Sequence, residues 1–114
     1  MLLPLSFFVF TTVPMVLFTK ELENQDTFEG KDATLCCKTT CQDARVNWRR
    51  GPLVLEEGMK YSMQKEGATH TLVVHNVKVE DSGEYICDTG DEQSKAALTV
   101  KGNHYSFLLL FVFE

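Results

Sequence analysis

Apolar and polar residues alternate in short runs between Met15 and Lys101, and turn-forming residues separate these runs. Alternation with a period of two is typical of strands that bury one face, and this range has no convincing helical period. The clearest inward-facing residues are Ala33, Leu35, Cys37, Leu72, Val74, Tyr85, Cys87, Ala96, Leu98 and Val100. The pattern therefore predicts an all-β chain of short strands.

Less regular signals complete the predicted set of strands. A first strand is expected around Val16, Phe18 and Leu22, and it continues along the other sheet at Gln25–Phe28. A later strand should have Val46 and Trp48 facing inward, with Val77 as a further core residue. Short strands are expected at Leu53–Leu55 and Met59–Met63. Glu29–Asp32 and Gly67 are expected in turns, because Gly and Asp favour the backbone conformations that turns require.

The alternation also decides which of two adjacent cysteines is buried. A shift of one residue along this strand would turn Thr34 and Lys38 into the core. Cys37 is therefore predicted to face inward and Cys36 to face outward, since neighbouring residues of a strand point to opposite faces. Cys41 is expected in the loop that follows.

Cys37, Trp48, Tyr85 and Cys87 have the order and spacing of an immunoglobulin β-sandwich. In that fold two antiparallel sheets face each other, and a buried Trp packs against two cysteines. A Tyr two residues before the second Cys anchors a corner of the chain. The resemblance implies an immunoglobulin-like all-β sandwich with these four residues in its core.

Asp81 and Gly83 are expected at the corner that precedes Tyr85. Gly83 permits a close approach of the backbone as the chain enters the strand. The Tyr85 hydroxyl is expected to bind a backbone group a few residues upstream. Asp81 is placed to meet a cation, with Lys60 as the candidate partner; the alternative is a carboxylate surrounded by water.

Longer segments resemble the intermediate-set (I-set) immunoglobulin domains of giant muscle scaffold proteins of the obscurin type. Within residues 14–101, the matching segments are 18–22, 29–37, 46–51, 57–61, 80–87 and 97–101. The resemblance implies a non-enzymatic module in the cytoplasm of muscle cells, at the sarcomere. Such modules space binding sites along a filament and dock other proteins, including neighbouring immunoglobulin domains. The chain departs from this pattern in its extra thiols, Cys36 and Cys41, and in the isolation of a single domain.

Length and charge exclude several classes of function. A chain of 114 residues has room for one domain, and a hydrophobic content of 44% is ordinary for a globular core. The net charge of −5 argues against nucleic acid and anionic membranes as partners, because both require clustered basic residues. We expect other proteins as partners, with no small-molecule substrate and no membrane association.

The two ends of the chain differ from its middle. Residues 1–18 carry no charge, and residues 106–113 are equally apolar. Two hypotheses for residues 1–12 stay open. One is a secretory signal peptide, although a basic n-region and an Ala-x-Ala-like cleavage site are missing. The other is translated intron, because pyrimidine-rich codons encode Phe, Leu, Ser and Pro. The tail 102–114 is too short to span a membrane and is also interpreted as intron. The I-set domain is expected to occupy residues 13–101.

The chemistry of the cysteines depends on the compartment. In the cytosol Cys37 and Cys87 would stay reduced, whereas in an extracellular protein they would form a disulfide. A bridge between Cys36 and Cys41 is conceivable in the second case only. The sequence has no Asn-x-Ser/Thr acceptor, which disfavours a glycosylated ectodomain.

No metal, cofactor or catalytic site is predicted. The adjacent residues Cys36 and Cys37 point to opposite faces, and no second Cys or His pair completes a tetrahedral metal site. His70, His75 and His104 are scattered along the chain. No Ser or Cys nucleophile has a base at a recognisable spacing, so the histidines are interpreted as structural.

Two surfaces are candidates for binding other proteins. The first comprises Arg45, Arg49 and Arg50, on or beside the strand of Trp48. Arg is enriched in interfaces, although arginines at strand edges are also commonly just solvated. The second is the strand 94–101, as an edge open to strand addition, unless its lysines protect it.

The alternative function is a secreted or cell-surface adhesion or receptor domain with an N-terminal signal peptide.

Overall fold

The computed structural model describes residues 15–102, which form nine strands and one 3₁₀ turn. The strands are β1 (Phe18–Lys20), β2 (Gln25–Phe28), β3 (Ala33–Thr39), β4 (Asn47–Arg50), β5 (Leu53–Val54), β6 (Tyr61–Glu66), β7 (Thr69–Val74), β8 (Gly83–Asp88) and β9 (Gln93–Lys101). The 3₁₀ turn, Val79–Asp81, lies between β7 and β8. Within residues 15–102, no helix has the length and apolar character that crossing a membrane requires. The predictions for residues 1–12 and 103–114 lie outside the described range.

The strands form two sheets. The five-stranded sheet has the order β2-β9-β8-β4-β5, and the four-stranded sheet has the order β1-β3-β7-β6. Neighbouring strands are antiparallel except β2 and β9, which run parallel with Gln25 opposite Leu98. This parallel pair arises because the chain leaves the four-stranded sheet after β1 and crosses to the other sheet. The predicted all-β sandwich is confirmed.

The hydrophobic core lies between the two sheets. Burial alternates along β3, where Cys37 is fully buried while Cys36 and Lys38 are more exposed. Burial alternates in the same way along β7 and β9. The core residues are Leu22, Ala33, Leu35, Cys37, Trp48, Leu55, Leu72, Val74, Val77, Tyr85, Cys87, Ala96, Leu98 and Val100. Full burial of a Leu or Val side chain contributes about 1.5–3 kcal/mol, so this cluster is the main source of stability.

Strand β6 begins later than predicted, and it ends just before Gly67, as expected. Met59 is 96% exposed and belongs to a bend in which the Gly58 N–H donates to the Tyr61 carbonyl over 2.9 Å. Pairing with β7 begins only at Tyr61, opposite Val74, and continues to Glu66 before the turn at Gly67. Alternation alone did not distinguish the bend from the strand, because the bend contains the apolar residue Met59.

The described chain begins at one end of the sandwich and finishes at the opposite end. The Val16 N–H donates to a carboxylate oxygen of Asp91, in the turn between β8 and β9, over 2.8 Å. At the other end, Gly102 lies beside Val79, in the 3₁₀ turn that precedes β8. Strand β8 separates the two ends by six residues, or about 20 Å at roughly 3.3 Å per residue.

Candidate functional site

Trp48 and two cysteines meet at the centre of the sandwich. The pairing of β4 with β8 places Trp48 opposite Cys87, and Cys37 approaches from β3 in the other sheet. The indole is 3% exposed and both cysteines are fully buried. The two Sγ atoms are 3.5 Å apart, compared with about 2.05 Å in a disulfide, and both residues are free thiols. The 3.5 Å distance therefore does not support the disulfide between Cys37 and Cys87 that an extracellular location would predict.

The four cysteines fall into two environments. A hydrogen bond with Cys37 and burial raise the pKa of the Cys87 thiol, and since the thiolate is the reactive form, this disfavours reaction there. Cys36 is partly exposed on β3, where its sulfur lies 3.7 Å from the Thr71 hydroxyl. Cys41 is partly exposed in the loop after β3. Exposure therefore separates an accessible pair from a buried pair.

This separation is expected to appear in thiol titration with a disulfide reagent such as DTNB. In the reduced native protein, Cys36 and Cys41 should react readily, whereas Cys37 and Cys87 should react only after unfolding in denaturant. The control is the double variant Cys36→Ser and Cys41→Ser, which should show almost no fast reaction. Fast reaction of all four thiols of the native chain would contradict the described burial.

The corner before β8 is built around Asp81. The Tyr85 hydroxyl donates to the Asp81 carbonyl over 2.7 Å, so the hydroxyl returns to the backbone four residues upstream. Gly83 has a φ of 155°, a conformation that other residues rarely adopt. The Asp81 carboxylate accepts hydrogen bonds from the Lys60 ammonium over 2.6 Å and from the Lys78 N–H over 2.7 Å. The pair of Lys60 with Asp81 that the sequence suggested is therefore present.

Asp81 also lies near Arg50, whose Nη1 is 3.5 Å from Oδ1. Burial by itself would raise the pKa of Asp81. The hydrogen bonds from Lys60 and Lys78, together with the charges of Lys60 and Arg50, outweigh this effect and lower the pKa below its ordinary value. The ionised carboxylate thus joins the end of β4, the start of β6 and the corner before β8.

The three candidate arginines have three different surroundings. Arg49 projects from the outer face of the five-stranded sheet and pairs with Asp88, with Nη2 and Oδ2 3.2 Å apart. Arg50 belongs to the corner and also donates to the Glu80 carbonyl over 3.3 Å. Arg45 is exposed and lines a groove between the sheets. The partners of the three arginines therefore differ, and of the three only Arg45 lines the groove.

That groove, here called the β4–β6 groove, is lined by residues of β4 and β6, which belong to different sheets. Its volume is about 580 Å³. Its walls include Arg45, Val46 and Trp48 on one side, Met63 and Lys65 on the other, and His70 from β7. His70 is 2% exposed, and burial, with the nearby charge of Lys65, lowers the pKa of its imidazole. Sequence reasoning missed this groove, because its walls come from distant segments.

Comparison with known proteins gives the chain its family. The sequence profile of the immunoglobulin I-set domain matches residues 16–101. The chain belongs to the immunoglobulin I-set family. The position of Trp48 beside two cysteines from opposite sheets and the Tyr85 corner agree with this family's expected core.

The relatives of this I-set domain include myosin-binding protein C and domains of titin. Cardiac-type myosin-binding protein C of Mus musculus is 34% identical over 95 residues, which cover 82% of this chain but 8% of that protein. Domain I10 of titin has 28% identity and a TM-score of 0.73, covering 77% of this chain and 100% of that one. A complex of titin M10 with an obscurin-like 1 Ig domain includes a chain with 25% identity and a TM-score of 0.71, covering 77% of this chain and 95% of that one. The I-set prediction is confirmed, and these relatives do not single out obscurin.

The edge of the sheet at β9, which was a candidate for strand addition, is covered by other parts of this I-set domain. Residues Leu98–Lys101 already pair with β2, so the prediction of an open edge is wrong for them. Nearer the start of β9, the Ala97 N–H donates to the Asn24 side chain over 2.8 Å. The Ser94 hydroxyl accepts the Leu22 N–H over 2.9 Å. The segment between β1 and β2 therefore lies along this edge.

Strand β6, at the edge of the other sheet, is also partly occupied. The Met63 N–H donates to the Glu57 carboxylate over 2.8 Å, and the Tyr61 carbonyl accepts the Gly58 N–H over 2.9 Å. The chain before β6 therefore takes up backbone groups that an added strand would need. Strand addition at β6 would have to displace these contacts.

Three polar residues on or next to strands of the four-stranded sheet form a line that the sequence did not reveal. The Ser62 hydroxyl is 2.8 Å from His75 Nε2, and His75 Nδ1 is 3.1 Å from Asp32 Oδ2. Asp32 also accepts the Asn76 N–H over 2.9 Å. These residues are separated in the chain, and the pairing of β7 with both β6 and β3 brings them together. A nucleophilic serine also needs oxyanion donors and a substrate cleft, and Asp32 lies exposed, so we assign the line a structural role.

Proposed function

We propose that this I-set domain is a non-enzymatic spacer and protein-docking module of a sarcomeric scaffold protein. One observation carries the proposal: the described chain begins at the turn between β8 and β9 and finishes at the opposite end of the sandwich. Domains with termini at opposite ends can be joined in series, with each domain adding its own length. Binding sites on successive domains are then held at regular distances.

Exposed apolar side chains at the two ends support this arrangement. Met15 and Leu17 are 59% and 39% exposed near the first strand. Phe28 and Val79 are 52% and 47% exposed at the other end, where β9 finishes. Apolar side chains at a domain boundary favour contact with a neighbouring domain, since such contact removes them from water.

The relatives support the sarcomere as the location. Myosin-binding protein C is by name a protein that binds myosin, and titin M10 forms a complex with an obscurin-like 1 Ig domain. We infer that this domain likewise docks other proteins, including immunoglobulin domains, in the cytoplasm of muscle cells. An obscurin-like parent protein remains our specific proposal, based on the segment resemblance in the sequence.

Proximity labelling tests this proposal. The full chain, fused to a biotin ligase, would be expressed in striated muscle cells, and labelled neighbours would be identified by mass spectrometry. We expect sarcomeric proteins to be enriched over a matched fusion that carries the destabilising change Trp48→Ala. Labelling of secretory-pathway proteins instead, without sarcomeric proteins, would overturn the proposed location.

One observation favours the alternative of a secreted or cell-surface domain. Cys37 and Cys87 are adjacent in the core, so a modest approach of the two sulfurs would allow a disulfide in an oxidising compartment. In the labelling experiment, this alternative predicts secretory-pathway neighbours and an oxidised Cys37–Cys87 pair in the recovered chain.

A further inference from the structure

The β4–β6 groove combines apolar walls with basic groups at its rim. Val46, just before β4, and Met63, on β6, pack against the core, and Trp48 also lines the groove. The groove's volume of about 580 Å³ exceeds that of a single side chain. It can therefore take a side chain of a partner protein together with part of the adjoining backbone.

The charges around the groove favour an anion. Arg45 and Lys65 are cations in the lining, and Asp43 is the only carboxylate there. Lys65 already donates to the Gln42 carbonyl. Within residues 15–102, Arg45 has neither an ion pair nor a hydrogen bond, so its guanidinium is available to a ligand. Guanidinium binds a carboxylate through two parallel hydrogen bonds.

His70 adds a buried polar group to the same groove. Its side chain is 2% exposed, and its one hydrogen bond within the described residues is long, with Nε2 3.5 Å from the Thr39 hydroxyl. A neutral imidazole has one N–H donor and one acceptor nitrogen. A ligand carboxylate that reached the floor of the groove would give this ring a better partner than it now has.

A single carboxylate fits these features better than a polyanion. The chain carries a net charge of −5, and Asp43 on the rim would repel additional negative charge. A Glu side chain has an apolar stem that can lie against Val46 and Met63 and one charge that can reach Arg45. An Asp side chain is shorter and would leave more of these walls uncovered.

We propose that the β4–β6 groove receives a glutamate side chain from a loop of a partner protein, with Arg45 as the residue that recognises its carboxylate. This inference rests on the proposed docking function and specifies the surface that performs it. It also assigns different roles to the arginines: Arg45 binds the partner, whereas Arg49 and Arg50 maintain this domain's own structure.

Nuclear magnetic resonance titration of the isotope-labelled full chain tests the proposal. The probe is N-acetyl-glutamate N-methylamide, and the matched control probe is the uncharged glutamine analogue. We expect the glutamate probe to shift the Trp48 indole N–H, the His70 ring and the Arg45 side chain, with weak, saturable binding. The glutamine analogue should bind about tenfold more weakly or not at all, since it lacks the charge.

Two variants identify the recognising residue. Arg45→Gln is expected to weaken binding of the glutamate probe about tenfold, whereas Arg49→Gln should leave it unchanged. Both variants must keep the wild-type dispersion of backbone resonances, and Arg45→Lys, which keeps the charge, should restore part of the binding. Equal shifts with both probes, or binding that survives Arg45→Gln, would overturn the inference.

Inorganic phosphate and acetate are titrated as two further probes in the same experiment. Acetate should bind more weakly than the glutamate probe, because it lacks the longer apolar stem. Stronger binding of phosphate than of the glutamate probe would overturn the choice of a carboxylate. If the glutamate probe does not bind the groove while the biotin-ligase fusion still labels sarcomeric proteins, this inference is wrong and the proposed function stands.

Discussion

Trp48→Ala is expected to lower the free energy of unfolding by about 3–5 kcal/mol. The indole is 3% exposed and lies opposite Cys87, with Cys37 approaching from the facing sheet. Its removal leaves a cavity between two sheets that cannot close without moving strand β4. Since domains of this size are commonly stable by only 5–15 kcal/mol, the loss would threaten folding at physiological temperature.

Thermal and urea unfolding, followed by far-ultraviolet circular dichroism, would measure this loss. Fluorescence is unsuitable because Trp48 is the single tryptophan. The midpoint temperature of thermal unfolding should fall by about 10 °C or more. Trp48→Phe is the matched control, and it should lose less stability than Trp48→Ala because the Phe ring fills part of the cavity. Melting of Trp48→Ala within a few degrees of wild type would contradict the assignment of Trp48 to the core.

Asp81→Ala is expected to have the second largest effect, about 2–3 kcal/mol. The Asp81 side chain is 8% exposed and binds the Lys60 ammonium and the Lys78 N–H. Removing it leaves a backbone donor without its acceptor and leaves two cations, Lys60 and Arg50, close together. We place the loss below that of a fully buried ion pair, because side chains of both cations remain about one-third exposed to solvent.

Asp81→Asn separates the charge from the hydrogen bonds. The amide oxygen can still accept the Lys78 N–H, so this variant should lose less stability than Asp81→Ala. Equilibrium unfolding in urea at neutral pH would compare the two. Equal stability of Asp81→Ala and wild type would show that the carboxylate does not join the strands in the way described.

The pH dependence follows from the lowered pKa of Asp81. A carboxyl with a lower pKa when folded contributes stability above its unfolded pKa of about 3.9 and loses it as pH falls through the folded value. The difference in stability between wild type and Asp81→Asn should therefore be full at pH 6 and shrink below about pH 4. Asp32→Asn is a suitable control, since Asp32 also has a lowered pKa but is exposed. A difference that stays constant down to pH 2 would argue against an ionised Asp81 as its source.

Much of the core was predictable because strand periodicity is a local property. The alternation at Leu35 and Cys37 indicated which face of β3 is buried, and the spacing of Trp48, Tyr85 and Cys87 indicated the family. The Lys60–Asp81 pair was also suggested in advance, from the expected position of Asp81 at the corner. These predictions share one feature: each depends on the sequence neighbours of a residue or on a recurring motif.

The surface was predicted less well. Arg45, Arg49 and Arg50 are close in sequence, yet one lines the groove, one pairs with Asp88 and one pairs with Asp81. Arg49 and Arg50 are adjacent on β4 and point to opposite faces, whereas Arg45 lies before β4, in the segment that lines the groove, so closeness in sequence did not imply common partners. In the same way, no local signal showed that β2 would pair with β9.

The sequence by itself determined the strand faces, the buried Trp48 and cysteine pair, and membership of the I-set family, since burial of apolar residues at a period of two leaves a direct trace in the chain. Only the tertiary structure decided which edges are covered, that Ser62, His75 and Asp32 meet, and that a groove opens beside Arg45. Those features arise where segments far apart in the chain come together, and their geometry depends on how the two sheets pair and pack.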